Sequence, residues 1–196
     1  MTTRLKNEIS SYLKYLERKV FSDAEILAKE EIAVIYAYSE DRYEGLNEQL
    51  RRDFGEIKTE FARELNAILE KLPNFEGQVF KGASLSKSRF AVYENAYAHD
   101  TFVTNYAFDS TSKSELIAKA FMRNSRTDVK ILFVIFSKFG KDIETYSKYD
   151  SLSGQNEKEV LFRPNANFQV LSIDYADKTN DFITITLNEI KKYGTT

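Results

Sequence analysis

The sequence predicts an α+β fold in which an N-terminal helical lobe packs against a mostly antiparallel β-sheet. Three observations carry this reading. Apolar residues recur at helical spacing through the first 72 residues, and short β-prone runs take over after Pro73. Only two prolines and seven glycines punctuate the 196 residues, which hold no internal repeat and no low-complexity tract. An apolar share of 42% suffices for one substantial core, so residues 1–196 are expected to form a single domain. Residues 1–72 would be its helical lobe and 73–196 its β-rich core.

Taken in order, Leu5, Ile9, Leu13, Leu16 and Val20 share one helical face. Ser22 and Glu25 form a capping box opening a second helix through "AEILAKEEIAVIYAY". A third helix covers "DRYEGLNEQLRR". A fourth carries Ile57, Phe61, Leu65, Ile68 and Leu72 and stops at Pro73. Strands are then expected at "GQVFKG", "TFVTNYAF", "VKILFVIFS", "DIETYS", "EVLF", "NFQVLSIDY" and "DFITITLNEI". One further helix, "SELIAKAF", interrupts them.

Composition excludes several chemistries. With no cysteine there is no disulfide, thiolate metal site or Cys nucleophile. The lone His99 argues against a His-based metal cluster or a Ser–His–Asp triad, and is expected in a polar turn. The 30 acidic and 28 basic residues leave a net charge of −2, so no nucleic-acid partner is expected. The N-terminus lacks an uninterrupted apolar core and no run reaches membrane-spanning length; a soluble protein without a signal peptide is expected. No GxGxxG turn points to a Rossmann dinucleotide fold.

The pair Glu157 and Glu159 stands directly before the apolar run Val160–Leu161–Phe162. On a strand, residues two apart share a face, so the two carboxylates would crowd together unless something used them. Three other pieces precede this one: "AYSEDRYEGLNEQLR" (37–51), "QVFKGASLS" (78–86) and "FDSTSKSELIAKAF" (108–121). In that order, the four pieces resemble the mono-ADP-ribosyltransferases of the Arg–Ser–Glu class, in particular the exoenzyme group that includes the iota-type toxins. The resemblance covers about residues 35 to 175. It implies a split sheet, NAD⁺ as substrate, no metal, and transfer of ADP-ribose to a protein side chain with release of nicotinamide.

Cleaving the nicotinamide–ribose bond resembles glycoside cleavage through an oxocarbenium-like transition state. The leaving group departs from a cationic ring and becomes neutral, so no general acid is needed. The resemblance makes Glu159 the carboxylate that holds the ribose 2′-hydroxyl and Glu157 the group facing the acceptor. Glutamate rather than glutamine at 157 implies an arginine acceptor. Ser110 would position Glu159 and the ribose, while Thr111 packs or bonds the backbone. Ser112, with Glu115, reads as a capping box for "SELIAKAF". The resemblance further implies that Tyr38 leans over NAD⁺ and Phe121 stacks on nicotinamide, with Arg123 or Arg126 on the phosphates. Core burial of Tyr38 and Phe121 are the alternatives, and Arg51 is either part of the lobe motif or a surface residue.

One position departs from the family pattern. The signature arginine before Gly82 is Lys81, which keeps the charge but loses the planar fork that grips phosphate at two points. Arg123, Arg126 or Arg89 would then compensate. Three readings stay open: arginine-directed transferase, NAD glycohydrolase, and inactive protein-binding module. The transferase reading implies a monomeric toxin or effector, delivered into a target cell and acting on a cytosolic protein such as actin.

Overall fold

The computed structural model describes residues 1–16, 26–123, 129–150, 155–175 and 181–191. Helices α1 (Thr3–Glu8), α2 (Ser10–Leu16), α3 (Lys29–Ala37), α4 (Tyr43–Arg52) and α5 (Glu60–Lys71) build the lobe. Strands β1 (Asn74–Leu85), β2 (Phe102–Asn105), β3 (Asp109–Ser112), β4 (Val129–Asp142), β5 (Glu159–Phe162), β6 (Ala166–Asp174) and β7 (Ile183–Ile190) follow, with helices α6 (Lys87–Ala98) and α7 (Glu115–Arg123) between them.

The sheet order is β1-β3-β5-β4-β7-β6-β2, and β1 also pairs with β4 along its length, from Asn74↔Lys141 to Leu85↔Val129. Strands β1, β3, β5 and β4 thereby close a ring at one end of the sheet. Every pairing is antiparallel except β4 with β7.

Two cores flank this arrangement. Leu5, Ile9, Ile32, Ile35, Leu50, Leu65 and Leu69 form the interior of the lobe, which continues onto Phe108, Ile143, Tyr146 and Leu161 of the β-rich part. The other sheet face buries Val79, Ile131, Phe133, Val170 and Ile185 with Phe90 and Ala96 of α6. A smaller cluster seats Ala118 and Met122 of α7 against Leu132.

Several sequence expectations need correction. The first helix breaks at Ile9 into α1 and α2, while Val20 and the Ser22–Glu25 box lie outside the described residues. Helix α3 starts at Lys29, where the Glu31 carboxylate accepts the Ala28 amide at 2.9 Å. A π-helical turn, Tyr38–Arg42, fuses α3 to α4. Helix α5 opens on Thr59, whose hydroxyl accepts from the Ala62 amide at 3.2 Å.

"TFVTNYAF" is not one strand: β2 ends at Asn105 and β3 begins at Asp109. "DIETYS" is not a separate strand: its Asp142 ends β4 and the rest is not extended. Beyond Asp142 the chain turns, with the Tyr146 and Ser147 amides both donating to the Ile143 carbonyl at 2.9 Å. Burial of Ile143 and Tyr146 under the lobe favours that turn over extension. Helix α6, absent from the sequence reading, is capped by Ser86, and His99 closes it.

Gly82 is fixed by packing. A Cβ there would lie 1.9 Å from the Ala118 carbonyl oxygen, so α7 rests directly on the β1 backbone. Gly82→Ala should therefore push α7 outward and destabilise the fold by about 1–3 kcal/mol, measured by denaturant unfolding. An unchanged midpoint would mean that α7 is not held at this point.

Candidate active site

The ring of strands and the α3–α4 junction enclose a cavity of about 390 Å³ that contains most of the sequence-predicted positions. Tyr38, Lys81, Gly82, Ser110, Phe121, Glu157 and Glu159 all line it. Register explains the β contributions. Ser112 pairs with Glu159 and Ser110 with Leu161, and directly opposed residues share a face, so both serines lie on the Glu159 side.

Glu157 does not belong to the strand. β5 begins at Glu159, and Lys158 adopts φ +50°, so strand alternation is not what aims both acids at the cavity. Backbone bonds set the position of Glu157 instead. Its amide donates to the Tyr149 carbonyl at 3.0 Å, and its carbonyl accepts from Ser112 Oγ at 2.6 Å. Ser112 also accepts from the Ser114 amide at 3.0 Å, so it braces this segment rather than forming a capping box with Glu115. Thr111 donates to the Val160 carbonyl at 2.7 Å and ties β3 to β5.

Glu159 is 3% exposed. Burial, with a smaller push from Glu157, raises its pKa to about 7, while the hydroxyls of Ser110 and Ser147 act in the opposite direction. Its Oε2 has no hydrogen-bond partner among the described residues. A buried carboxylate oxygen left unpaired is costly and needs a reason. Glu157 is half-buried, which raises its pKa too.

Tyr38 is both buried and cavity-lining, so its two readings are compatible. Its hydroxyl accepts from Asn47 Nδ2 at 3.0 Å, its ring packs edge-on against Phe108 at 5.6 Å, and burial pushes the phenol well up. Phe121 is 55% exposed at the rim, which does not fit plain core packing. Arg123 ends α7, but its side chain is outside the description, as is all of Arg126.

Lys81 forms an ion pair with Asp109, a residue the sequence reading missed. Burial and the charges of Arg51 and Arg89 press Lys81 down to about 7. Arg51, Lys81 and Asp109 also border a second cavity of about 250 Å³, which Arg89 and Tyr93 help to line. Three cationic side chains thus converge where the two cavities adjoin. A run of basic residues on α4, β1 and α6 could have signalled this, but their spacing in sequence gives no pattern. Ser147 was equally invisible, because only the turn after β4 brings it near Glu159.

Residues 4–195 match the family NAD:arginine ADP-ribosyltransferase. Mav of Mycobacterium avium (strain 104) is 31% identical over 147 residues, 74% of this chain and 16% of Mav, so the chain spans only a fraction of this curated relative's length. Among solved structures, ADP-ribosyltransferase Vis of Vibrio splendidus in complex with agmatine aligns with a TM-score of 0.64 at 20% identity, covering 97% of this chain and 86% of Vis. Exoenzyme S of Pseudomonas aeruginosa bound to carba-NAD and 14-3-3 protein aligns with a TM-score of 0.69 at 20% identity, covering 94% of this chain and 84% of the exoenzyme chain. The fold is therefore that of the ADP-ribosyltransferases, with a helical lobe against a mostly antiparallel sheet. Since the family match runs through nearly the whole chain, the protein belongs to the NAD:arginine ADP-ribosyltransferase family.

Proposed function

We propose that this chain transfers ADP-ribose from NAD⁺ to an arginine side chain of a target protein and releases nicotinamide. The observation that carries the reading is the buried Glu159 carboxylate, with one oxygen unpartnered, sharing a cavity with Ser110 and Glu157. That oxygen suits a ribose hydroxyl, which is a donor of the right polarity. Lys81, Arg51 and Arg89 suit the diphosphate, and Tyr38 and Phe121 suit the nicotinamide ring.

In the first step the C–N glycosidic bond breaks and its electron pair leaves with neutral nicotinamide. The Glu159 carboxylate stabilises the positive charge developing on the ribose, and Ser110 keeps that carboxylate oriented. In the second step an arginine nitrogen bonds to the ribose carbon, and Glu157 takes its proton. The work is positioning and electrostatics on both sides.

The Glu-x-Glu spacing supports membership of the exoenzyme group that includes the iota-type toxins. Residues 1–72 and 73–196 are then the lobe and the NAD-binding core of one domain, acting as a monomeric toxin or effector with actin among its target proteins. Among the described residues no helix is long and apolar enough to cross a membrane.

Labelled NAD⁺ incubated with the protein and a cell lysate tests the reading. Label on protein arginines supports it. Free ADP-ribose alone would make the protein a glycohydrolase, and unchanged NAD⁺ would make it a binding module.

Lys81 gives a further expectation. Lys81→Arg should keep the KM for NAD⁺ or lower it by up to about a hundredfold, since a charge-assisted hydrogen bond contributes about 1.5–3 kcal/mol, one to two powers of ten. Loss of all activity would mean that Lys81 has a role arginine cannot fill.

A further inference from the structure

We infer that Asp109 is a positioning residue that keeps the Lys81 ammonium charged and aimed at the NAD⁺ diphosphate. The inference rests on the proposed use of NAD⁺ and deepens it, because it accounts for lysine where the resemblance expects arginine.

Register brings the pair together. Phe80 opposes Ser112 across β1 and β3, so the next residue of β1, Lys81, shares a face with Thr111 and Asp109. The two side chains form an ion pair, and both are mostly shielded from solvent. Arg51 of α4 and Arg89 of α6 border the same cavity of about 250 Å³. Among the residues lining that cavity, Asp109 is the single acid beside three cations.

Charge chemistry gives the pair its purpose. A guanidinium stays protonated in almost any surroundings, whereas an ammonium buried among other cations readily loses its proton. Burial, then Arg51, then Arg89 all act on Lys81 in that direction. A carboxylate in contact favours the charged amine, by about ten- to a thousandfold in proton affinity. The ammonium has three N–H donors, so bonding Asp109 leaves two for diphosphate oxygens. With this partner, the departure from arginine gives up the planar fork but keeps the charge.

The other groups around the two cavities do not replace Asp109. α7 presents Ile117, Ala118 and Phe121, and the β4, β6 and β7 residues that reach the second cavity are apolar. Burial pushes Tyr38, Tyr43 and Tyr93 up, away from neutrality. Glu157, Glu159 and Tyr149 line only the larger cavity, and the Lys81 ion pair is made with Asp109.

The test is calorimetric titration with a non-hydrolysable NAD⁺ analogue at pH 6 and pH 8. Variants are compared at the same pH, so ionisation of Glu157 and Glu159 enters both sides of each comparison. At pH 6, Asp109→Asn should bind within about twofold of wild type. At pH 8 its Kd should stand about tenfold above wild type, because the amine gives up its proton at least about one pH unit earlier. In a Lys81→Arg background, the same Asp109→Asn change should alter the Kd by less than about threefold at both pH values, since a guanidinium needs no acid to stay charged.

An Asp109→Asn to wild-type ratio that is the same at pH 6 and pH 8 would overturn the inference. So would tighter binding at pH 8, which would make Asp109 a competitor of the diphosphate, or an equal pH-dependent loss in the Lys81→Arg background. If Asp109→Asn does not fold, Asp109→Ser removes the charge and should give the same two ratios. Failure of both to fold would make Asp109 a structural residue and end the assignment. A wild type that binds no analogue at either pH would overturn the NAD⁺ reading itself.

Discussion

Glu159→Gln should lower both nicotinamide release and transfer by about 10²–10³-fold or more, the scale set by removing one preorganised electrostatic contact from an active site. Glutamine preserves the volume in a site that is 3% exposed, so the packing of β5 is kept. What is lost is the negative charge facing the ribose.

The same substitution should leave the fold more stable at alkaline pH. The folded pKa of Glu159, about 7, lies above its ordinary value of 4.5. The native state therefore holds the proton more tightly than the unfolded chain. This contribution is fully present below about pH 4.5 and is lost as pH rises through about 7. Near pH 8 the glutamine variant escapes a cost of up to about 3 kcal/mol. An inactive enzyme with a higher melting temperature at pH 8 separates catalytic loss from misfolding. Stability spent to keep a carboxylate charged in a buried site is typical of functional positions. The kcat/KM for NAD⁺ should also climb through about pH 7 as Glu159 ionises. A flat profile together with an active glutamine variant would remove Glu159 from the chemistry.

Glu157→Gln should separate the two half-reactions. Transfer to arginine should fall about 10²-fold, within the usual contribution of a general base, while NAD⁺ hydrolysis keeps a substantial part of its rate. The backbone bonds that hold this position, to the Tyr149 carbonyl and from Ser112 Oγ, do not involve the side chain and survive the change. The carboxylate that meets the ribose stays in place. Product analysis by mass spectrometry distinguishes labelled acceptor from free ADP-ribose. Equal losses in both products would mean that Glu157 serves cleavage rather than the acceptor.

The strands were legible where apolar alternation or continuous burial fixes them. "EVLF" is fully buried, and "VKILFVIFS" lies at the centre of the sheet. Helix α6 was not, because its apolar residues are scattered around its circumference and only Phe90 and Ala96 are buried. "DIETYS" has strand composition, yet burial of Ile143 and Tyr146 beneath the lobe turns the chain.

Within the site, motif order located Ser110, Glu157 and Glu159, which all reach the cavity. Strand alternation does not account for the paired acids: Lys158, in a left-handed conformation, divides them. Asp109 and Ser147 carry no sequence signal of their own. Their roles arise only when β3 and the turn after β4 come up beside Lys81 and Glu159.

A crystal structure with a non-hydrolysable NAD⁺ analogue tests the central claim most directly. Glu159 Oε2 should lie about 2.6–3.2 Å from the 2′-hydroxyl of the nicotinamide ribose, with Ser110 beside it and Lys81 reaching the diphosphate. A dinucleotide bound elsewhere, or a Glu159 side chain turned away from the sugar, would contradict the account.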